Sequence, residues 1–221
     1  MVKTQYIAPL SLWVVVRRRV LESGLFIEPA WTESAQENIS GPVIFVSRLL
    51  AHMYAYLRNE HHGADDTGHW KAIPLQDFNL LEHAHAIDGP LYCMLAFGFS
   101  MDTATDVICV HAPRIRYVPL PFRLPKDIQG ITFSFNQWAF DFMNDEWTSL
   151  GLPNYARELE AVDELDDIGF NRLYQTAAAR LGVCHTPSGN DGLWAVFGAR
   201  EETWISGYES ETPRAPARGL H

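Results

Sequence analysis

The stretch GPVIFVSRLLAHMYAYLRN, residues 41–59, constrains the fold more than any other part of the chain. Residues 42–47 make a compact apolar run of strand type. Directly after it, Leu49, Leu50, Met53, Tyr54 and Leu57 recur at the spacing of one helix face. Ser47 stands where a side-chain oxygen can accept from a first-turn N–H and cap that helix. A buried strand running into an amphipathic helix requires a sheet with a helix packed on it.

The rest of the chain is read by the same periodicities. Residues 12–20 are β-branched and extend toward Trp31, and the three arginines inside this strand, Arg17, Arg18 and Arg19, cannot share one face. Residues 32–41 are polar and read as a loop. A short strand is expected over 70–75 and a helix over 76–87. Strands are expected over 90–100, 105–112 and 114–122, the last placed at a sheet edge by Pro119 and Pro121. Residues 131–135 alternate as a strand. From Asn136 the spacing turns helical, with Trp138, Phe142 and Trp147 on one side. Helices are expected over 155–169 and 170–182, and a closing hairpin over 192–208. Strands and helices mix without regular βαβ alternation. The expectation is therefore an α+β fold, a mixed or mostly antiparallel sheet packed with three to four helices, in a single domain over 1–208. Residues 209–221 lack an apolar face and are expected to be a disordered tail.

Charge narrows the partners. A formal net charge of −10 opposes general affinity for nucleic acid or an anionic membrane, and it favours a basic protein partner. The three cysteines, Cys93, Cys109 and Cys184, are widely spaced and fit free thiols in a reducing compartment. The apolar run near the N-terminus ends in three arginines, the reverse of a secretory signal, and no run reaches the ~18 residues of a membrane span. A cytoplasmic protein is expected.

The residues that invite a catalytic reading lie in NEHHGADDTGHW, 59–70. A metal-dependent hydrolase would use His61 or His62, Asp65 or Asp66, and His69. Adjacent His61 and His62 are aimed apart by an extended chain, and His83 and His85 fall about 200° apart on a helix. The spacing supports a hydrated loop that ends a helix, with Gly63, Asp65 and Asp66 supplying turn chemistry. Cys184 beside His185 is the one cysteine in a loop, though neighbouring residues rarely orient onto each other. Asp141 and Asp145 share a helix face at i,i+4, the usual pattern of a solvated surface. No phosphate-binding or nucleophile-elbow motif is present, and no cofactor is implied.

The segment ELEAVDELDDIG, 158–169, is the least ordinary. Six of its twelve residues are acidic, with Leu159, Val162 and Leu165 at i+3 spacing opposite. On a helix Glu160, Asp163, Glu164 and Asp167 form one negative strip, in which like charges at i,i+4 cost a few tenths of a kcal/mol per pair. Such a strip complements a basic cleft. Interface energy concentrates in a few aromatic and arginine anchors, and Trp147, Tyr155 and Trp70 are the aromatic candidates nearest to acidic or polar segments.

An acidic, aromatic-rich chain without a catalytic signature, carrying the strand-to-helix unit of 41–59, resembles the immunity proteins of bacterial toxin–immunity systems. The resemblance lies in overall character across most of the chain. It implies a protein that binds one cognate toxin and blocks its active site, and no site residue is carried over from it.

Overall fold

Successive residues of the inner strands are buried in turn against opposite sides of one sheet, which is why those strands read as unbroken apolar runs. The computed structural model describes residues 3–21, 24–34, 39–61, 68–84, 91–122, 130–189 and 192–209. The chain opens with β1 (Lys3–Ile7), β2 (Trp13–Leu21), β3 (Gly24–Pro29), β4 (Trp31–Ser34), β5 (Ile39–Phe45) and α1 (Arg48–His61). There follow β6 (Lys71–Pro74), a 3-10 turn (Leu75–Asp77), α2 (Leu80–Ala84), β7 (Leu91–Ser100), β8 (Asp106–Ile108), β9 (Ile115–Phe122) and β10 (Gly130–Ser134). The last part holds α3 (Gln137–Ser149), α4 (Tyr155–Asp163), α5 (Asp167–Ala179), β11 (Gly182–Cys184), β12 (Leu193–Gly198) and β13 (Thr203–Tyr208).

The fold is α+β. Nine strands form a mixed sheet in the order β13-β12-β7-β5-β2-β3, with β4 beside β5, β6 beside β2 and β9 beside β7. Only β5 and β7 run parallel, Val43 opposite Met94 and Phe45 opposite Ala96; every other pair in this sheet is antiparallel. Two smaller parallel pairs, β1 with β10 and β8 with β11, stand beside it.

Val14, Ile44, Leu95, Phe97 and Trp194 line one side of the sheet, with α3 and the start of α4 packed on them. Val15, Phe45, Ala96, Phe99 and Phe197 line the other side, under α1 and α5. Helix α4 crosses between the two: Tyr155 and Leu159 belong to the first core and Val162 to the second. The strand-to-helix unit forms as its spacing predicts. Ser47 Oγ accepts from Leu50 N at 3.2 Å, and Leu49, Leu50, Met53, Tyr54 and Leu57 are buried.

Several sequence expectations are corrected. Residues 32–41 are not all loop, because Trp31–Ser34 pair with Ile39–Pro42 as a ladder. The helix expected over 76–87 is a 3-10 turn followed by five residues of α2, with 85–90 outside the described residues. On α3 the buried face is Ala139, Phe140, Met143 and Trp147, so Trp138 does not share the side of Trp147 and is exposed, stacked on Phe142. Gly182 does not close α5 but begins β11. The tail lies outside the described residues from residue 210. Among the described residues no helix is long and apolar enough to cross a membrane.

Candidate functional site

The acidic segment is not one helix. Helix α4 ends at Asp163, Glu164 caps it, and Asp166 then starts α5 by accepting from Gly169 N through Oδ1 at 2.8 Å. Val162 and Phe170 are both buried against the α1 side of the sheet, so the chain must turn between them. The turn carries Leu165 off the buried stripe of Leu159 and Val162. Leu165 is left 37% exposed, and Ile168, in the first turn of α5, is 82% exposed. Glu160, Glu164, Asp166 and Asp167, which flank this apolar pair along the chain, are exposed, while Asp163 is half-buried. The result is an acidic elbow with an apolar centre.

Arg48, the first residue of α1, braces the elbow from beneath. Its Nη1 donates to Leu165 O at 3.0 Å, and Nη2 lies 3.7 Å from Asp167 Oδ1. The guanidinium stacks over the Phe170 ring at 3.9 Å and nears Trp13 at 5.6 Å. Burial raises the pKa of Asp163, against the pull of Ser11, Trp13 and Arg48.

One turn along α1, His52 packs edge-on against Phe170 at 4.8 Å and Trp13 at 6.0 Å. Burial, with Arg48 adding to it, lowers the pKa of His52 from 6.5 to about 4. Between these two values the unfolded chain takes up a proton that the folded chain refuses, so stability falls as pH falls, by about 1.4 kcal/mol per pH unit, and levels off below pH 4. His52→Phe keeps an aromatic ring in the slot and is expected to flatten this part of the stability profile. An unchanged slope in urea midpoints from pH 7 to 4 would show that His52 protonates freely in the folded state.

The three aromatic anchor candidates are corrected, since each is core. Trp147 donates Nε1–H to Phe97 O at 3.4 Å and packs on Tyr155 at 5.1 Å. Tyr155 donates its hydroxyl to Phe197 O at 2.9 Å, and burial holds its pKa well above the usual value. Trp70 is buried beneath two guanidinium groups, Arg17 at 4.7 Å and Arg58 at 4.0 Å from its ring. A large aromatic ring buries about 150–250 Å², and the polar atoms of Trp147 and Tyr155 find internal carbonyl partners. Leu165 and Ile168 were hidden in the sequence because Leu165 continues the i+3 spacing of Leu159 and Val162. The available signal was Asp166, a capping residue three positions before a glycine in the middle of an apparent helix.

The metal alternative lies largely outside the described residues. Asp65 lies outside the described residues, as does the side chain of His61, while His69 is exposed. Among the described residues no three His, Cys, Asp or Glu side chains are grouped to hold a metal ion. Asn59 joins the two described flanks of this segment, accepting from Trp70 N at 2.8 Å and donating to Trp70 O at 2.9 Å. His185 Nδ1 sits 2.9 Å from Cys109 O. The Cys184 thiol faces the carboxylate of Asp102, which accepts from Ser188 N and Oγ at 2.6 and 2.8 Å, and no base among the described residues is placed on it. Asp141 and Asp145 are exposed, and Asp141 accepts from Gln137 Nε2 at 3.0 Å. Among the described residues, a groove of about 670 Å³ over residues 7–9, 120–122 and 134–137 is lined by no ionisable side chain.

No family model, no curated protein and no solved structure matches the chain.

Proposed function

We propose that the protein binds a basic protein partner stoichiometrically and, in the manner of an immunity protein, neutralises a toxin by covering its active site. The observation that carries this reading is the elbow, where the exposed pair Leu165 and Ile168 is flanked along the chain by the exposed carboxylates Glu160, Glu164, Asp166 and Asp167. An apolar centre within a charged rim is the anatomy of a specific interface. The rim would steer a basic surface and set the association rate, while the apolar pair would set the dissociation rate. The rigid brace from Arg48 pre-organises both, which reduces the entropy lost on docking.

The test is affinity capture from the source cells, followed by kinetics with whatever is bound. A single basic protein at one-to-one stoichiometry, whose activity falls on binding, is the expected result. Glu160→Gln, Glu164→Gln, Asp166→Asn and Asp167→Asn together, with the asparagine at 166 retaining the capping oxygen, should slow association about tenfold or more at low salt and remove most of its salt dependence. Ile168→Ser should act on dissociation instead. Unchanged association by the fourfold variant would remove the elbow from the interface, and a captured partner whose activity is untouched would remove the neutralising role.

A further inference from the structure

Helices α1 and α5 run side by side in the same direction. Their contacts advance together: Arg48 meets Asp167 at 3.7 Å, His52 meets Phe170 at 4.8 Å, and Tyr56 meets Tyr174 at 6.1 Å. Both C-terminal ends therefore arrive at one place, and a cavity of about 190 Å³ opens there. Its floor is apolar, from the buried or half-buried side chains of Met53, Leu57, Ala178, Leu181 and Val183. Its rim holds the exposed side chains of Tyr56 and Glu60.

The charge around this cavity is one-sided. Glu60 stands in the last turn of α1, where the helix dipole already places negative charge and a carboxylate is unfavourable. It has no ion pair among the described residues. The arginines nearest to it on the two helices are turned elsewhere: Arg58 lies over the Trp70 ring at 4.0 Å, and Arg180 donates to Glu202 O. The Tyr174 ring stands at 89° to that of Tyr56, so the two rings make adjacent walls of a corner. Burial raises the pKa of Tyr174, and both Tyr56 and Glu60 lie near enough to add to the rise.

We propose that this cavity is a binding site for a primary alkylammonium group. The apolar floor suits a chain of a few methylenes and the rim suits the charge at its end, the division that long cationic side chains themselves adopt. An ammonium gains from the electron-rich faces of tyrosine rings and from the Glu60 carboxylate at once. A neutral apolar ligand would leave Glu60 uncompensated at its helix end. A planar guanidinium lies flat on one ring at a time, whereas a compact ammonium fits a corner between perpendicular rings. Glu60 also accepts a hydrogen bond that a primary ammonium can donate and a quaternary one cannot. Two sources carry this group, a free alkylamine and a lysine side chain of another protein. A lysine source would give the basic partner a second contact, and that consequence alone rests on the function proposed above.

The test needs no protein partner, so its failure and that of the neutralising role are separate results. Titration of n-butylammonium into the full chain, followed by amide NMR shifts, should saturate with a dissociation constant of about 1–10 mM. The shifts should be confined to residues 53–60, 174 and 178–183. The neutral analogue n-butanol should bind about tenfold more weakly or worse. Glu60→Gln should weaken n-butylammonium binding about fivefold or more and Tyr56→Leu about threefold or more, whereas Tyr56→Phe keeps the ring and should bind as the parent does. Both positions are exposed, so the fold is retained, and unchanged urea midpoints check this. Nα-acetyl-lysine N-methylamide binding as tightly as n-butylammonium assigns the site to a lysine side chain, and its exclusion assigns it to a free amine. Shifts that do not saturate or that scatter over the acidic surface overturn the proposal, as does equal binding of n-butanol or equal binding by the Glu60→Gln variant.

Discussion

Arg48→Ala is expected to destabilise the protein by about 3 kcal/mol and to release the elbow from α1. Three losses coincide at this residue. Leu165 O loses a charge-assisted hydrogen bond, worth about 1.5–3 kcal/mol. Phe170 loses a guanidinium stacked at 3.9 Å, worth about 1 kcal/mol when partly desolvated. The space between Phe170 and Trp13 is left unfilled, which adds a cavity term. Arg48→Met retains the stem and much of the packing, so its loss should be about half as large. Urea unfolding monitored by tryptophan fluorescence measures both variants. A loss below about 1 kcal/mol for the alanine variant would mean that the elbow is held by Val162 and Phe170 alone.

Gly41→Ala should be at least as severe. Gly41 is buried in β5, where β4 lies on one side and β7 on the other, and a β-carbon there would overlap the Tyr92 carbonyl of β7. Backbone cannot step aside as a flexible side chain can, so either the β5–β7 pairing or the β4–β5 ladder must open. Overpacking of this kind costs about 1–3 kcal/mol in side-chain cores and more where backbone must move. A midpoint shift equivalent to 3 kcal/mol or more is expected. Gly151 is the useful comparison: it has φ of 83° and nothing within 4 Å of a built β-carbon. Gly151→Ala therefore carries only conformational strain, about 1 kcal/mol. Equal effects at the two positions would show that the close approach at Gly41 relaxes without consequence.

What was legible in the sequence was local. The strand-to-helix unit could be read because Ser47 and the five apolar residues of α1 lie within eleven positions of one another. Asn136 likewise marks the start of α3, accepting from Trp138 N at 2.9 Å. What escaped depended on distant partners. The parallel pairing of β5 with β7, the two-sided core, and the ladder joining β4 to β5 all arise from registers that residue spacing does not encode. The elbow failed for a different reason. Leu159, Val162 and Leu165 obey helical spacing perfectly well, but the second core pulls Phe170 onto α1 and forces a break that the spacing conceals. The aromatic candidates failed because Trp147, Tyr155 and Trp70 each find a carbonyl or a cation inside the fold, which a sequence does not reveal.

The parallel pairing of β1 with β10 sets a schedule for synthesis. Lys3 meets Gly130, and Ile7 meets Ser134. At a ribosomal rate of ~5–20 residues per second, β1 leaves the ribosome on the order of ten seconds before its partner exists. Tyr6, which stacks on Phe133 at 5.6 Å and donates its hydroxyl to Phe78 O at 2.7 Å, can complete the second of these contacts well before the first. The 3-10 turn and α2 thus offer the N-terminal strand an early anchor. Residues 75–84 would act as a holding site for β1 while the remainder of the chain is made.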